Sequence, residues 1–331
     1  MKNWRKEFRV NPVPVLISSN NRAIQYFTRR DLLDEKVEPI ETLWELPEVK
    51  KILHKQQEDG SWKYPGGGKE HLRSQEDYNQ LETYRILGVL VEKYGLNNKH
   101  LTIRNASEFL FTRQPYEGDF RGIYGNQYSP NYTAGIMELL IKAGYDDDPR
   151  MEKGFEWLLS IRQNDGGWAI PLRTIGGKYA DIVKAATIEP DLSKSFSHLV
   201  TGVVLRAFAA SKKYRKSPEA VQAGKLLTSR FFKKDVYPDR NTSQYWERVS
   251  FPFWFTDIIS SLDSLSLLGF TRDNPDIASA LDWLKRRQKH DGLFELKLLK
   301  NKGEDLKFWV CLAICRLFKR FYGGNQWHAK P

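Results

Sequence analysis

Two cysteines are all that 331 residues contain, and Cys311 and Cys315 lie four apart inside one apolar run. That leaves no disulfide framework and reads as a pair of reduced core residues in a cytosolic protein. Long hydrophobic runs are missing as well. The stretch Val13-Pro14-Val15-Leu16-Ile17 is too brief for a membrane span or a signal peptide. The expectation is a soluble, cytoplasmic chain, with peripheral membrane contact left open. Period-two alternation is almost absent, which argues against a β architecture. Acidic residues are outnumbered, 41 Asp and Glu against 52 Lys and Arg, for a net charge of +11. That balance favours anionic partners such as a phosphorylated small molecule or an acidic membrane surface. Charge alone does not make a nucleic-acid site, and none is expected.

Motifs for metals and cofactors are also missing. There is no His-Glu-x-x-His and no Asp-Asp-x-x-Asp, and Gly66-Gly67-Gly68-Lys69 lacks the spacing and the hydroxyl of a phosphate loop. Cys311 and Cys315 can share one helical face but have no second pair of ligands in reach. Neither a metal nor a cofactor is expected.

What the chain does have is a recurring turn. Gln163-Asn164-Asp165-Gly166-Gly167-Trp168 follows the amphipathic run Pro149 to Arg162, and Gln57-Glu58-Asp59-Gly60-Ser61-Trp62 has the same form. Gln114 to Phe120 and Gln288 to Phe294 match it with one extra residue and Phe for Trp. Each turn closes an amphipathic helix and precedes a more apolar one. The amphipathic members begin at Glu48, Arg104, Pro149, Pro218 and Pro275; their partners are Tyr78–Tyr94, Asn131–Ala143, Ser195–Ser211, Trp254–Leu268 and Asp305–Phe321. The pattern predicts an all-α chain, an α/α toroid of about five to six helical hairpins with outer and inner layers, forming one domain over residues 1–331. Residues 39–322 hold the repeats and 323–331 a tail. The segment 1–38, with a helix over Asn21–Leu33, either closes the ring or packs outside it. Long connections run from outer to inner helices, so they gather at one end with the inner-helix N-termini. Those loops carry Arg73, Arg173, Lys194, Arg240 and Arg248, making that mouth electropositive over an aromatic throat.

The Gln-x-Asp-Gly-x-Trp turns between paired helices resemble the repeats of squalene and terpene cyclases, a toroid shared with protein prenyltransferase β subunits. The resemblance spans roughly residues 40 to 322 by architecture, while the motif itself occupies four turns. It implies a fold-stabilising role for Gln57, Trp62, Gln163 and Trp168. It also implies an isoprenoid or similar apolar small molecule as ligand, with or without a diphosphate, and cyclase- or prenyltransferase-type activity. The Asp-x-Asp-Asp acid of the cyclases is not matched by Asp146-Asp147-Asp148, which reads as an N-cap before Pro149. The zinc ligands of prenyltransferases have no match either. A non-catalytic ligand-binding or protein-interaction toroid is therefore the alternative, and a solid side-chain plug in the ring would select it. Paired carboxylates for glycoside chemistry are a more distant reading.

Among ionisable residues, Asp257 and His198 are the catalytic candidates. Asp257 is expected one turn into an inner helix among aromatics, where burial would raise its pKa and let it act as an acid. The alternative is a first-turn carboxylate favoured by the helix dipole. His198 is expected near the start of another inner helix, lining a cavity; a satisfied, half-buried histidine is the plainer reading. Tyr78, Tyr132, Trp254, Phe255 and Trp309 begin inner helices and would form an aromatic collar, or simply pack the core. Arg240 and Arg248 would grip a diphosphate, or remain solvated loop charges.

Overall fold

Residues 3–66, 73–176, 185–299 and 305–323 are described by the computed structural model; Gly67, Gly68 and Lys69 of the glycine run lie outside them. Thirteen α-helices account for nearly all regular structure among these residues. They are α1 (Val13–Ile17), α2 (Arg22–Phe27), α3 (Pro47–Leu53), α4 (Gln75–Tyr94), α5 (Leu101–Phe111), α6 (Pro130–Leu140), α7 (Pro149–Ser160), α8 (Pro171–Thr174), α9 (His198–Ala210), α10 (Pro218–Thr228), α11 (Ile258–Leu267), α12 (Pro275–Arg286) and α13 (Leu306–Tyr322). One pair of two-residue parallel strands, β1 (Arg248–Val249) and β2 (Lys297–Leu298), joins two loops. The chain is an all-α toroid.

Local chemistry starts the outer helices. Asp148-Pro149, Ser217-Pro218 and Asn274-Pro275 each put a capping side chain before a proline whose missing N–H costs nothing in a first turn. Asp148 accepts from the Arg150 N–H at 2.9 Å, which is the capping role expected for the Asp146-Asp147-Asp148 run. Inner helix α4 starts with a reciprocal capping box between Ser74 and Asp77.

Neighbouring inner helices touch in the order α4, α6, α9, α11, α13, and then α2, which contacts both α13 and α4. The N-terminal helix is thus the sixth inner stave, while the 3₁₀ turn Trp4–Glu7 and α1 lie against α13. Outer helices α3 and α5 pack against α4, α7 against α6 and α10 against α9. Inner helices carry apolar residues around most of their circumference because they are covered on every side.

The repeated turns tie one repeat to the next. Gln56 Nε2 donates to the Gly60 carbonyl at 2.9 Å and to Thr102 O, in the first turn of the next outer helix, at 2.8 Å. Gln114 does the same to Gly118 O and Arg150 O. In the third repeat Arg162 takes the place of glutamine, donating to Gly166 O at 2.8 Å and Glu219 O at 3.4 Å. Gln288 Nε2 donates to Gly292 O and, in place of a next helix, to Val10 O at 2.6 Å, while its Oε1 accepts the Val10 N–H at 3.1 Å. The last turn therefore closes on the N-terminal segment.

These bonds correct the expected register. The tie comes from the residue four before the glycine, the distance at which a side chain reaches back over the turn. Gln57 and Gln163, three before it, bond within their own repeats: Gln57 Oε1 accepts from Ser61 and from Asn79 of α4, and Gln163 Nε2 donates to Asp191 O and Lys194 O. The tryptophans do hold the fold. Trp62 Nε1 donates to Ile52 O and Trp168 Nε1 to Leu158 O, each ending an outer helix, and both rings are buried. Their backbone N–H groups bond to the Thr83 and Thr201 hydroxyls of the following inner helices. Phe120 N–H bonds to Thr133 in the same way.

Glycine is required in these turns for two reasons. Gly118 has φ +105°, and a Cβ there would stand 2.5 Å from the Lys153 carbonyl of α7. Gly118→Ala should lower stability by about 2 kcal/mol or more, read as a shift in the urea midpoint at unchanged slope.

Candidate functional site

At the end where the inner helices begin, a cavity of about 160 Å³ opens between α4, α6, α9 and the loops before α11. Tyr84, Tyr132 and Trp254 form its aromatic wall: the Tyr84 ring meets Trp254 edge-on at 5.4 Å and Tyr132 at 6.0 Å, and Tyr124 meets Tyr132 at 5.3 Å. Val200 and Val203 supply aliphatic surface, and Asn131 a polar amide. Burial pushes the Tyr84 and Tyr132 phenols above their ordinary pKa, so both stay protonated donors at any working pH.

Arg240 stands at the rim. Its guanidinium lies 3.3 Å from the Phe255 ring centre and 5.2 Å from Tyr245, and Arg248 sits over the other side of that neighbourhood, 4.6 Å from Tyr245. No carboxylate among the described residues pairs with either arginine. The backbone of Arg240 is left-handed, φ +48°, an uncommon conformation for a non-glycine residue. The preceding Asp239 is clamped by a two-pronged ion pair from Arg173, at 2.5 and 2.7 Å. Burial and the nearby Arg248 lower the pKa of Arg240 without discharging it.

Below the cavity the ring is crossed by a segment of chain. The segment Ser250–Asp257 crosses the interior, and Phe251 stacks on Trp309 at 5.4 Å with rings nearly parallel. Trp254 crosses to α4, where only the missing side chain of Gly88 makes room; a Cβ would stand 2.5 Å from the indole. This segment corrects the expected start of the inner helix. Helix α11 begins at Ile258, so Trp254 and Phe255 belong to the crossing segment, and Asp257 is the N-cap, not a residue one turn in.

Asp257 Oδ1 accepts the Ile259 and Ser260 N–H groups at 2.9 Å each, while Oδ2 is buried without a hydrogen-bond partner. Burial dominates over these bonds and the Arg206 charge, and its pKa is pushed up to about 7. It is fully buried and contributes nothing to the cavity wall. A carboxyl raised in the folded state from 3.8 to about 7 stabilises the protein at low pH and loses that contribution as pH rises to 7. Asp257→Asn, which keeps a capping acceptor, should gain about 2–3 kcal/mol relative to the parent between pH 5 and pH 8, measured by chemical denaturation at both.

His198 also sits behind the wall. It stacks on Trp246 at 4.7 Å with Nδ1 3.5 Å from Asp235, and burial lowers its pKa to about 4, keeping it neutral. Tyr78 packs against Tyr64 under Arg73, and Trp309 lies between Phe27 and Phe251. Of the expected ligand residues, Tyr132, Trp254, Phe255 and Arg240 meet at the cavity; Tyr78, Trp309 and Arg248 do not line it.

Sequence reasoning passed over Tyr84, Tyr124 and the charges beneath them. Glu138 and Arg206 sit in the middle of apolar inner helices and pair at 2.8 Å, with Arg206 Nη1 donating to Phe255 O at 3.3 Å. Lys142 continues the chain to Glu138 at 2.7 Å and Glu92 at 2.5 Å. A charge amid Met137-Glu138-Leu139 or Leu205-Arg206-Ala207 was the available signal, since such residues are rarely buried unless paired.

Residues 76–186 match the family model described as the squalene-hopene cyclase C-terminal domain. The matched stretch is about a third of the chain. It holds helices α4 to α8 and the Tyr84, Tyr124, Asn131 and Tyr132 side of the cavity, and ends before His198, Arg240 and Asp257. None of the curated proteins matches the chain. Solved structures similar to it include a type II terpene cyclase, MstE from Scytonema, in complex with geranylgeranyl dihydroxybenzoate, at 12% identity over 85% of this chain and 84% of that one, with a TM-score of 0.39. A family 88 glycosyl hydrolase from Bacteroides vulgatus aligns at 13% identity over 85% and 88%, TM-score 0.42. A polysaccharide lyase aligns at 11% identity over 85% of each chain, TM-score 0.44. Likeness at this level bears on neither substrate nor activity. No helix among the described residues is long and apolar enough to cross a membrane.

Proposed function

We propose that the chain is a ligand-binding toroid whose mouth cavity takes a short isoprenoid or similar apolar group carrying an anionic head. The observation that carries this reading is Arg240, a guanidinium with no carboxylate partner among the described residues, held over Phe255 at the rim of an aromatic pocket. The head, a diphosphate in the isoprenoid case, would meet Arg240, and the hydrocarbon would lie against Tyr84, Tyr132 and Trp254. A volume of about 160 Å³ is well under the roughly 300 Å³ at which drug-sized pockets begin. Short prenyl chains suit it and long ones do not, because the Phe251–Trp254 crossing segment occupies the ring's interior. A crossing of that kind favours binding over cyclisation of a long polyene. Equilibrium dialysis with dimethylallyl, geranyl and farnesyl diphosphate tests it: affinity should fall with chain length, and Arg240→Ala should weaken the five-carbon ligand about 10–100-fold. Unchanged affinity in that variant would refute the reading.

One observation favours a second, catalytic reading. Asp257 combines a raised pKa with an unpartnered Oδ2, so a substrate reaching past the cavity wall to this buried cap would meet a protonated carboxyl. His198 would serve only as a neutral group. Product formation from prenyl diphosphates that disappears in Asp257→Asn would support this reading, and unchanged turnover would remove it.

A further inference from the structure

A cavity larger than the one at the mouth lies at the opposite end of the ring, where the inner helices finish. It measures about 520 Å³ and is separated from the mouth by the crossing segment: Phe251 and Phe253 face this lower cavity, Trp254 and Phe255 the upper. Its walls come from α2 and the Val37–Ile40 stretch, the ends of α4 and α6, α11 and α13.

Its charge pattern differs from that of the mouth. Three ion-pair groups stand around an aromatic and aliphatic floor. Asp31 is shared by Arg30 and Arg316 at 2.6 Å each. Glu92 holds Lys142 at 2.5 Å, and Asp263 pairs with Arg320. Asp31, Arg316 and Arg320 are all largely buried, so these charges are fixed and partly stripped of water. Each group keeps unused capacity. Glu92 and Asp263 engage one carboxylate oxygen in the pairs above, and Arg30 and Arg316 leave guanidinium nitrogens free of hydrogen bonds to described residues.

A lone anion here would meet the Asp31, Glu92 and Asp263 carboxylates, and a lone cation would meet Arg30, Lys142, Arg316 and Arg320. Only a molecule carrying both charges can answer both without leaving one set opposed. The inner-helix C-termini add partial negative charge, which suits an ammonium group. We infer that this lower cavity is a second binding site, for a zwitterion of amino-acid type with an apolar side group. Its carboxylate meets Arg30 and Arg316, its ammonium meets Glu92 and Asp263, and its hydrocarbon rests on Phe251 and Phe253. The inference is independent of the ligand proposed for the mouth.

Three probes with one aromatic body separate the terms: L-phenylalanine, phenethylamine and 3-phenylpropanoate, titrated into the full chain by calorimetry. L-Phenylalanine should bind saturably and about tenfold tighter than either singly charged analogue. Glu92→Gln, which leaves Lys142 its Glu138 partner, should weaken L-phenylalanine and phenethylamine but not 3-phenylpropanoate. Arg30→Gln, which leaves Asp31 its Arg316 partner, should weaken L-phenylalanine and 3-phenylpropanoate but not phenethylamine. Arg240→Ala at the mouth should change none of the three. Absence of saturable L-phenylalanine binding, equal affinity for a singly charged analogue, or loss of binding in Arg240→Ala would each overturn the site.

Discussion

Removing residues 1–33 should abolish the cooperative unfolding transition. The deleted stretch contains α2, the sixth inner stave, with Ile24, Phe27 and Leu32 buried against its neighbours. Its loss opens a ring edge along α4 and α13 and leaves several groups without partners. Arg316 loses the Asp31 carboxylate, Lys319 the Asp31 carbonyl, Asp305 loses Asn21, and Gln288 loses Val10. Buried side chains of this kind are worth about 1.5–3 kcal/mol each, and stranding a buried arginine costs a further 3–5 kcal/mol. Together these exceed the 5–15 kcal/mol by which a domain is ordinarily stable. The expected product keeps helical far-UV signal, loses near-UV structure and binds hydrophobic dyes. A truncated chain that unfolds cooperatively near the parental midpoint would show that the five hairpins close without the N-terminal helix.

The second large effect belongs to the buried charge chain under the mouth. Glu138 is the common partner of Arg206 and Lys142, and both it and Arg206 are almost fully buried. Glu138→Leu removes the one carboxylate between two cations and should cost about 4 kcal/mol or more. Arg206→Met alone should cost about 3 kcal/mol, since Glu138 keeps Lys142. The double variant should be more stable than Glu138→Leu alone, because the second change removes the stranded guanidinium. Denaturant titrations of the three variants give the coupling; strictly additive losses would mean that the pair does not act as a unit. Because Arg206 also donates to Phe255 O, these variants should disturb the mouth loop that presents Arg240.

Much of this was legible in the chain. The helical period and the repeated Gly turns were sufficient to give the hairpins and their layers, since every outer helix has a single apolar face and every inner one is covered all round. Register within the turns was not, because two adjacent residues, Gln56 and Gln57, offer the same amide, and Arg162 substitutes for glutamine in the third repeat. Counting from the glycine would have resolved it. The start of α11 was misplaced because Phe253-Trp254-Phe255 is as apolar as a helix face, although Asp257 and Ser260 spell a capping box three residues apart. The seat of α2 could not be read either: an amphipathic helix has the same sequence character whether it closes a ring or covers one. The crossing segment depends on Gly88 facing Trp254, a contact between residues 166 positions apart that no local pattern encodes.

Fluorescence of Trp254 tests the proposed mouth site most directly, because that indole forms the cavity wall. Titrating dimethylallyl diphosphate into the full chain should quench emission saturably. The quench should vanish in Trp254→Phe, and the midpoint should rise at least about tenfold in Arg240→Ala. A saturable signal that survives Trp254→Phe, or an Arg240→Ala midpoint equal to the parent's, would place the ligand elsewhere on the toroid and contradict the account.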